Sequence, residues 1–282
     1  MYDIGRSQIR ILFPNYYYFL KMKRRNHLIT VEHDFTENLP FLHVVLSEKK
    51  DEQLPGIIFV HGFTSAKEHN LHYAYYLAKR GFRVLLPEAP LHGERKALMT
   101  ESELNYSFWE IVLQMIKELE IFVNAFTHKD LLNKKRIGLA GTSMGGIVTL
   151  GALTQYSWVK AAVSLMGSPS YEMLAKSQMA SLRKDKSDIP FTEEDLEKLY
   201  TQLRKFDLSQ QPDKLMQRPL LFWHSEIDQV VPFRPTFDFY LKSKRHYTDH
   251  PDRIHVIAVK TSGHKVSREG VIETVRWFEK YI

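Results

Sequence analysis

The hexapeptide Gly141-Thr142-Ser143-Met144-Gly145-Gly146 sets a serine at the centre of a G-x-S-x-G pattern. A short apolar run, Arg136-Ile137-Gly138-Leu139-Ala140, leads into it, and a helix-like run from Ile147 to Tyr156 leads away. A strand that delivers a serine onto a sharp turn, backed by the N–H groups of a following helix, makes that serine a nucleophile towards carbonyl carbon. The residues two before and two after it must be small, because the turn brings their backbones together. Gly141 and Gly145 meet that demand. Taken alone, the six residues also read as a glycine-rich strand-to-helix connection with a surface serine.

A serine hydroxyl needs a base within hydrogen-bond reach, and the base needs a carboxylate to orient it. Turns of this kind take their acid and then their histidine later in the chain, at the C-terminal ends of late strands. Both are available. After the apolar run Leu220-Leu221-Phe222-Trp223 comes His224-Ser225-Glu226-Ile227-Asp228, before a Val231-Pro232 restart. After Ile254 to Val259 comes Thr261-Ser262-Gly263-His264-Lys265. Alone, Asp228 reads as a turn residue and His264 as a surface histidine. In this order and at these strand ends they predict a Ser143–Asp228–His264 triad. An oxyanion needs two backbone donors. Met144 N–H, directly after the nucleophile, is one. Phe63 N–H, in the loop His61-Gly62-Phe63-Thr64-Ser65 after the first buried strand, is the second. That loop also reads as a plain strand-to-helix turn.

These residues need a frame. Gly56–Val60, Arg83–Leu86, Ile137–Ala140, Val159–Met166, Leu220–Trp223 and Ile254–Val259 are apolar runs of strand length. Helical patterns separate them at 67–80, 101–127, 147–156 and near 236–242, and another closes the chain at 268–281. Continuous apolar strands alternating with amphipathic helices predict an α/β fold: a mostly parallel central sheet with helices on both faces. Residues 27–31 and Phe41–Leu46 predict a leading antiparallel hairpin around Glu37-Asn38-Leu39-Pro40. Between Gly167 and Pro219 the rhythm breaks. Helical patterns at 171–184 and 192–206 predict a helical cap insertion at about 168–218, with an ordinary long helical crossover as the alternative reading. One domain over 27–282 is expected.

Composition narrows the partners. The 282 residues contain no cysteine, which removes disulfides and thiolate chemistry and fits a reducing cytoplasm. The formal charge is +6, and most of the excess lies in residues 1–26, where six basic residues face Asp3 alone. A body close to neutral does not predict a nucleic-acid partner. The segment 9–20 is aromatic but broken by Pro14, and charges follow it rather than precede it, so it reads as neither signal peptide nor membrane anchor. Residues 1–26 are read as a non-essential extension, with Met22 as an alternative start.

His69 and His72 beside Glu68 lack a third ligand and any H-E-x-x-H pattern, so no metal is expected. No cofactor is expected either: no phosphate loop occurs, and Gly138, Gly141 and Gly145 do not form a G-x-G-x-x-G motif. Glu88, His92 and Arg95, in the loop after Arg83–Leu86, are expected with His61 at the rim of the site.

Together, His61-Gly62-Phe63, Gly141 to Gly146, His224 to Asp228 and Gly263-His264 resemble the α/β-hydrolase superfamily, in its prolyl-oligopeptidase-like and dienelactone-hydrolase-like branches. His61 to Asn70 and Leu165-Met166-Gly167-Ser168-Pro169 resemble a group of small esterases of bacilli and their relatives. The resemblance spans about 41–281. It departs at Ser225, where many relatives carry glycine, so that turn must tolerate a side chain. It implies a serine carboxylesterase acting on a small-molecule ester. A small peptidase or amidase, and a ligand-binding scaffold without turnover, are the other readings.

Overall fold

The computed structural model describes residues 28–184 and 189–282. Residues 1–26, with Met22, and His27 lie outside the described residues.

Two strands, β1 (Ile29–Thr36) and β2 (Leu39–Leu46), pair antiparallel across Glu37 and Asn38, whose φ values of 48° and 63° fit the tight turn that a twisted hairpin favours. Then follow β3 (Leu54–Val60), α1 (Leu71–Ala78), β4 (Arg83–Pro87), α2 (Glu101–Tyr106), α3 (Phe108–His128), β5 (Leu132–Thr142), α4 (Met144–Gln155) and β6 (Val159–Leu165). The last elements are α5 (Tyr171–Lys184), α6 (Glu193–Arg204), β7 (Leu220–Ser225), α7 (Phe233–Ser243), β8 (Ile254–Val259) and α8 (Arg268–Tyr281). The eight strands form one sheet in the order β1-β2-β4-β3-β5-β6-β7-β8. β2 joins β4 antiparallel, and every pairing from β4 to β8 is parallel.

Alternate residues of a strand face opposite sides of a sheet. Ile58 and Val60 of β3 therefore join one core, with Ile116 and Leu119 of α3 and Ile147 and Val148 of α4. Ile57 and Phe59 join the other, with Tyr73 and Leu77 of α1 and Val275 and Phe278 of α8. Burial on both faces is why these strands read as unbroken apolar runs.

The segment between β6 and β7 packs onto the α3–α4 side through Tyr171, Leu174 and Met179 of α5 and Leu196, Tyr200 and Leu203 of α6. Tyr171 O–H donates to the Ile147 carbonyl at 2.6 Å. Arg204 holds the two helices together by donating twice to the Glu172 carboxylate, at 2.8 Å each. Where the segment returns to the sheet, buried Arg218 donates to the carbonyls of Leu153 (2.6 Å) and Tyr156 (2.7 Å) at the end of α4. That cation meets the negative end of the helix.

Local structure differs most from the sequence pattern in four places. β1 runs on to Thr36, because Glu32 is half-buried, His33 and Asp34 are exposed, and the three leave no apolar signature. The pattern at 67–80 opens as a 3-10 turn over Lys67–Asn70 before α1 begins. The pattern at 101–127 is two helices. A Thr100–Glu103 capping box starts α2, and Ser107 Oγ–H donates back to the Glu103 carbonyl where α2 ends. β5 begins at Leu132, through an exposed Lys134-Lys135-Arg136 stretch that charge disguises.

Candidate active site

β5 ends at Thr142 and α4 begins at Met144, which leaves Ser143 alone on the turn with φ 53° and ψ −115°. The surroundings force that geometry. A Cβ on Gly145 would stand 2.0 Å from the Val60 carbonyl oxygen, and one on Gly141 would stand 2.4 Å from the Gly145 carbonyl carbon. Ser143 N–H is fixed to the Leu165 carbonyl of β6 at 2.8 Å. The serine is thus wedged between β3 and β6 and presented at the C-terminal ends of the parallel strands.

Ser143 Oγ lies 2.8 Å from His264 Nε2, and His264 Nδ1 lies 2.7 Å from Asp228 Oδ2. His264 follows Gly263, which takes φ +56° in the loop after β8. Asp228 stands in the turn after β7, its side chain fully buried. Its other oxygen, Oδ1, accepts the amides of Val230 (2.9 Å) and Val231 (3.0 Å). Burial works against the Asp228 charge, but hydrogen bonds from His224, His264 and the Val231 amide outweigh it and hold the carboxyl well below its ordinary range. Ser225 is buried and keeps a negative φ, and its carbonyl accepts the Asp228 amide at 3.2 Å. The turn therefore needs no glycine there.

The β3 loop lies beside the serine turn: a Cβ on Gly62 would make ordinary contact with the Thr142 carbonyl, at 3.4 Å, and with Ser143 Cβ, at 3.5 Å. As the first residue of α4, Met144 has no carbonyl inside the helix for its amide to reach. The amides beyond Phe63 are engaged, Thr64 N–H with His92 Nε2 at 2.9 Å and Ser65 N–H with the Gly62 carbonyl at 3.3 Å.

His61, Glu88, His92 and Arg95 do not form the expected rim. None of them lines the cavity at Ser143. The loops fold over their side chains and turn them into supports. His92 Nδ1–H donates to the Pro90 carbonyl at 2.8 Å, which leaves Nε2 free to accept from Thr64. Burial pushes the His92 pKa down, in keeping with a neutral ring. His61 Nε2 lies 3.0 Å from both the Ala89 amide and Glu88 Oε1. Arg95 grips the Glu118 carboxylate of α3 with two bonds, at 2.6 and 2.8 Å. The carboxylates of Glu68, Glu88 and Glu94 converge, but on the fully buried Lys67 ammonium, which pairs with all three. His72 leans on Tyr73, with ring centroids 4.3 Å apart and the planes tilted by 41°, and His69 Nδ1 meets Ser65 Oγ at 3.1 Å.

A cavity of about 320 Å³ opens at Ser143. Phe63, Phe108, Trp109 and Ile147 form one wall, and Leu174, Leu182, Phe191 and Leu199 of the segment between β6 and β7 form the other. The segment 168–218 was expected as a cap over this edge of the sheet, but which of its side chains line the cavity, and the part played by the first turn of α3, carried no sequence signal. His224, a neighbour of Asp228, was also missed, although its i,i+4 spacing to that acid was visible.

Comparison with known proteins places the chain in a family. Residues 114–282 match the prolyl oligopeptidase family. "Putative esterase YitV" of Bacillus subtilis (strain 168) is 50% identical over 255 residues, covering 90% of this chain and 100% of that one. "Esterase YjfP" of Escherichia coli (strain K12) is 33% identical over 208 residues, 73% of this chain and 81% of that one. Among solved structures, TT1662 of Thermus thermophilus superposes with a TM-score of 0.70 at 19% identity, over 90% of this chain and 98% of that one. The Pyrococcus furiosus esterase Pf2001 gives 0.60 at 18%, over 90% and 93%. These two likenesses concern the fold, which is the α/β-hydrolase fold. The family match begins in α3 and runs through β5, β7 and β8 to the last residue, so that it takes in Ser143, Asp228 and His264, and the chain belongs to the prolyl oligopeptidase family.

Proposed function

We infer that this serine hydrolase is a carboxylesterase whose catalytic groups are Ser143, His264 and Asp228. The observation that carries the reading is the unbroken contact from Ser143 Oγ through His264 to Asp228, at 2.8 and 2.7 Å. His264 Nε2 takes the Ser143 proton as Oγ attacks the ester carbonyl. Asp228 holds the imidazole by its Nδ1–H and stabilises its charged form. Phe63 and Met144 N–H groups receive the oxyanion, with the positive end of α4 behind Met144. His264 then protonates the leaving alcohol, and water, activated by the same imidazole, releases the acid from the acyl-enzyme.

The relatives named as esterases support an ester over an amide. Among the described residues, the Ser143 cavity is also lined by no charged side chain that could fix a peptide terminus. The lack of cysteine supports a reducing compartment, and we place the enzyme in the cytoplasm.

A fluorophosphonate probe tests the reading. It should label wild-type protein at Ser143 and leave the Ser143→Ala variant unlabelled. Short-chain p-nitrophenyl esters should turn over far faster than matching p-nitroanilides. Equal turnover of the two would establish an amidase, and a folded protein that resists the probe would establish a scaffold without turnover.

A further inference from the structure

We propose that the Ser143 cavity is an acyl site for uncharged, apolar acyl groups of medium chain length, a deepening that rests on the esterase reading. Its size comes first. At roughly 30 Å³ for a water-sized unit, 320 Å³ holds about ten non-hydrogen atoms, which is an octanoyl group with little to spare. Acetyl would leave most of it unfilled, and hexadecanoyl would overrun it.

Charge comes second. Among the described residues, none of the cavity's lining side chains is acidic or basic. Of its polar groups, Gln178 is already committed, its Oε1 accepting Trp109 Nε1–H at 2.9 Å. An acyl group that ends in a carboxylate or an ammonium would be desolvated there without a counter-charge. Charge on this face lies elsewhere. The groove of about 610 Å³ between α5 and α7 carries Glu172, Lys176, Asp207, Arg234, Asp238 and Lys242, and it does not reach Ser143.

Direction comes third. The leaving oxygen must receive its proton from His264 Nε2, so the alcohol portion sits beside that imidazole. His264 does not line the cavity, whereas Phe63, on the oxyanion side, does. The acyl chain therefore enters the cavity, between Trp109 and Ile147 on one side and Leu174, Leu182 and Leu199 on the other. Leu174, Leu182 and Leu199 of the inserted helices line it and set the chain length.

The test is a series of p-nitrophenyl esters from acetyl to hexadecanoyl, with a monosuccinyl ester as the charged member. We expect kcat/KM to climb by up to about fourfold per methylene, as burial of each group predicts. It should peak near octanoyl and fall at least about tenfold by hexadecanoyl, and the monosuccinyl ester should trail butanoyl by a similar factor. In Leu182→Trp the octanoyl-to-acetyl ratio should drop about tenfold. If that variant does not fold, Leu182→Ala should move the peak towards longer chains. A maximum at acetyl, a rise unbroken to hexadecanoyl, or a monosuccinyl ester as good as butanoyl would overturn the assignment. If the wild type cleaves no ester, the esterase reading fails by itself, and Ser143→Ala then decides the cavity by Trp109 fluorescence. Methyl octanoate saturating the signal at a concentration at least about tenfold below methyl acetate would uphold it, and equal concentrations would end it.

Discussion

His224 Nε2 stands 3.3 Å from Asp228 Oδ2, the same oxygen that His264 Nδ1 meets at 2.7 Å. His224 Nε2 also lies 2.9 Å from the Val231 carbonyl. Both neighbours are acceptors, so Nε2 carries the proton, and the carboxylate is held from behind as well as in front. Two imidazoles and two loop amides thus fix one acid. His224→Phe keeps the ring volume and removes the donor. It should lower kcat about tenfold, or ~1.4 kcal/mol, with KM little changed. His224→Gln, which retains a donor, should recover part of the loss. Steady-state kinetics on one activated ester read both, and an unchanged kcat would reduce His224 to packing.

Asp228 itself should matter far more. Asp228→Asn keeps the shape and loses the charge, and it presents an N–H where His264 needs an acceptor. A fall in kcat of about 10³- to 10⁴-fold is expected, with the fold intact by circular dichroism.

Strain at the nucleophile makes a separate prediction. Ser143 holds φ 53°, a conformation that costs a non-glycine residue about 1–3 kcal/mol. Ser143→Gly should abolish turnover yet raise stability by about 1 kcal/mol in urea titrations, after the entropy that glycine loses on folding is deducted. A variant less stable than wild type would mean that the turn stores no strain.

Acid should loosen the Phe63 loop's support before it reaches the triad carboxylate. Burial opposes the Glu88 charge, but His61 and Lys67 beside it hold its pKa down at about 2, against an ordinary 4.5. Between those values the unfolded chain binds a proton that the folded chain refuses. The Glu88 contribution is therefore whole above about pH 4.5 and is lost as pH falls towards 2, about 3 kcal/mol in all. Glu88→Gln should lower stability at neutral pH and flatten this acid limb. Melting curves from pH 7 down to 3 measure both.

Sequence showed most where physics leaves one answer. Strands buried on both faces are apolar throughout, and β8 and α8 have the bounds that their patterns indicate. Parallel strands end on one edge, so the positions of Ser143, Asp228 and His264 after β5, β7 and β8 were readable as neighbours. What stayed hidden depends on tertiary context. His61 sits in the loop after β3, and Glu88, His92 and Arg95 in the loop after β4, both next to the site, and only the folded loops decide that they point under it. β1 and the start of β5 are half-exposed and carry ordinary surface residues. The cavity is built from side chains of α2 to α6 and of the loops after β3 and β7, and spacing along the chain does not encode their meeting.

The glycines at the serine turn have a consequence for how this protein can change. Neither Gly141 nor Gly145 can gain a methyl group without a backbone collision, so the turn has almost no viable neighbours in sequence space. The opposite wall of the cavity hangs on α5 and α6, which supply no strand to the sheet. Drift can rewrite that wall while the attacking group stays frozen. Laboratory selection for new substrates should therefore collect its substitutions between 171 and 204 and return the residues from 141 to 146 untouched.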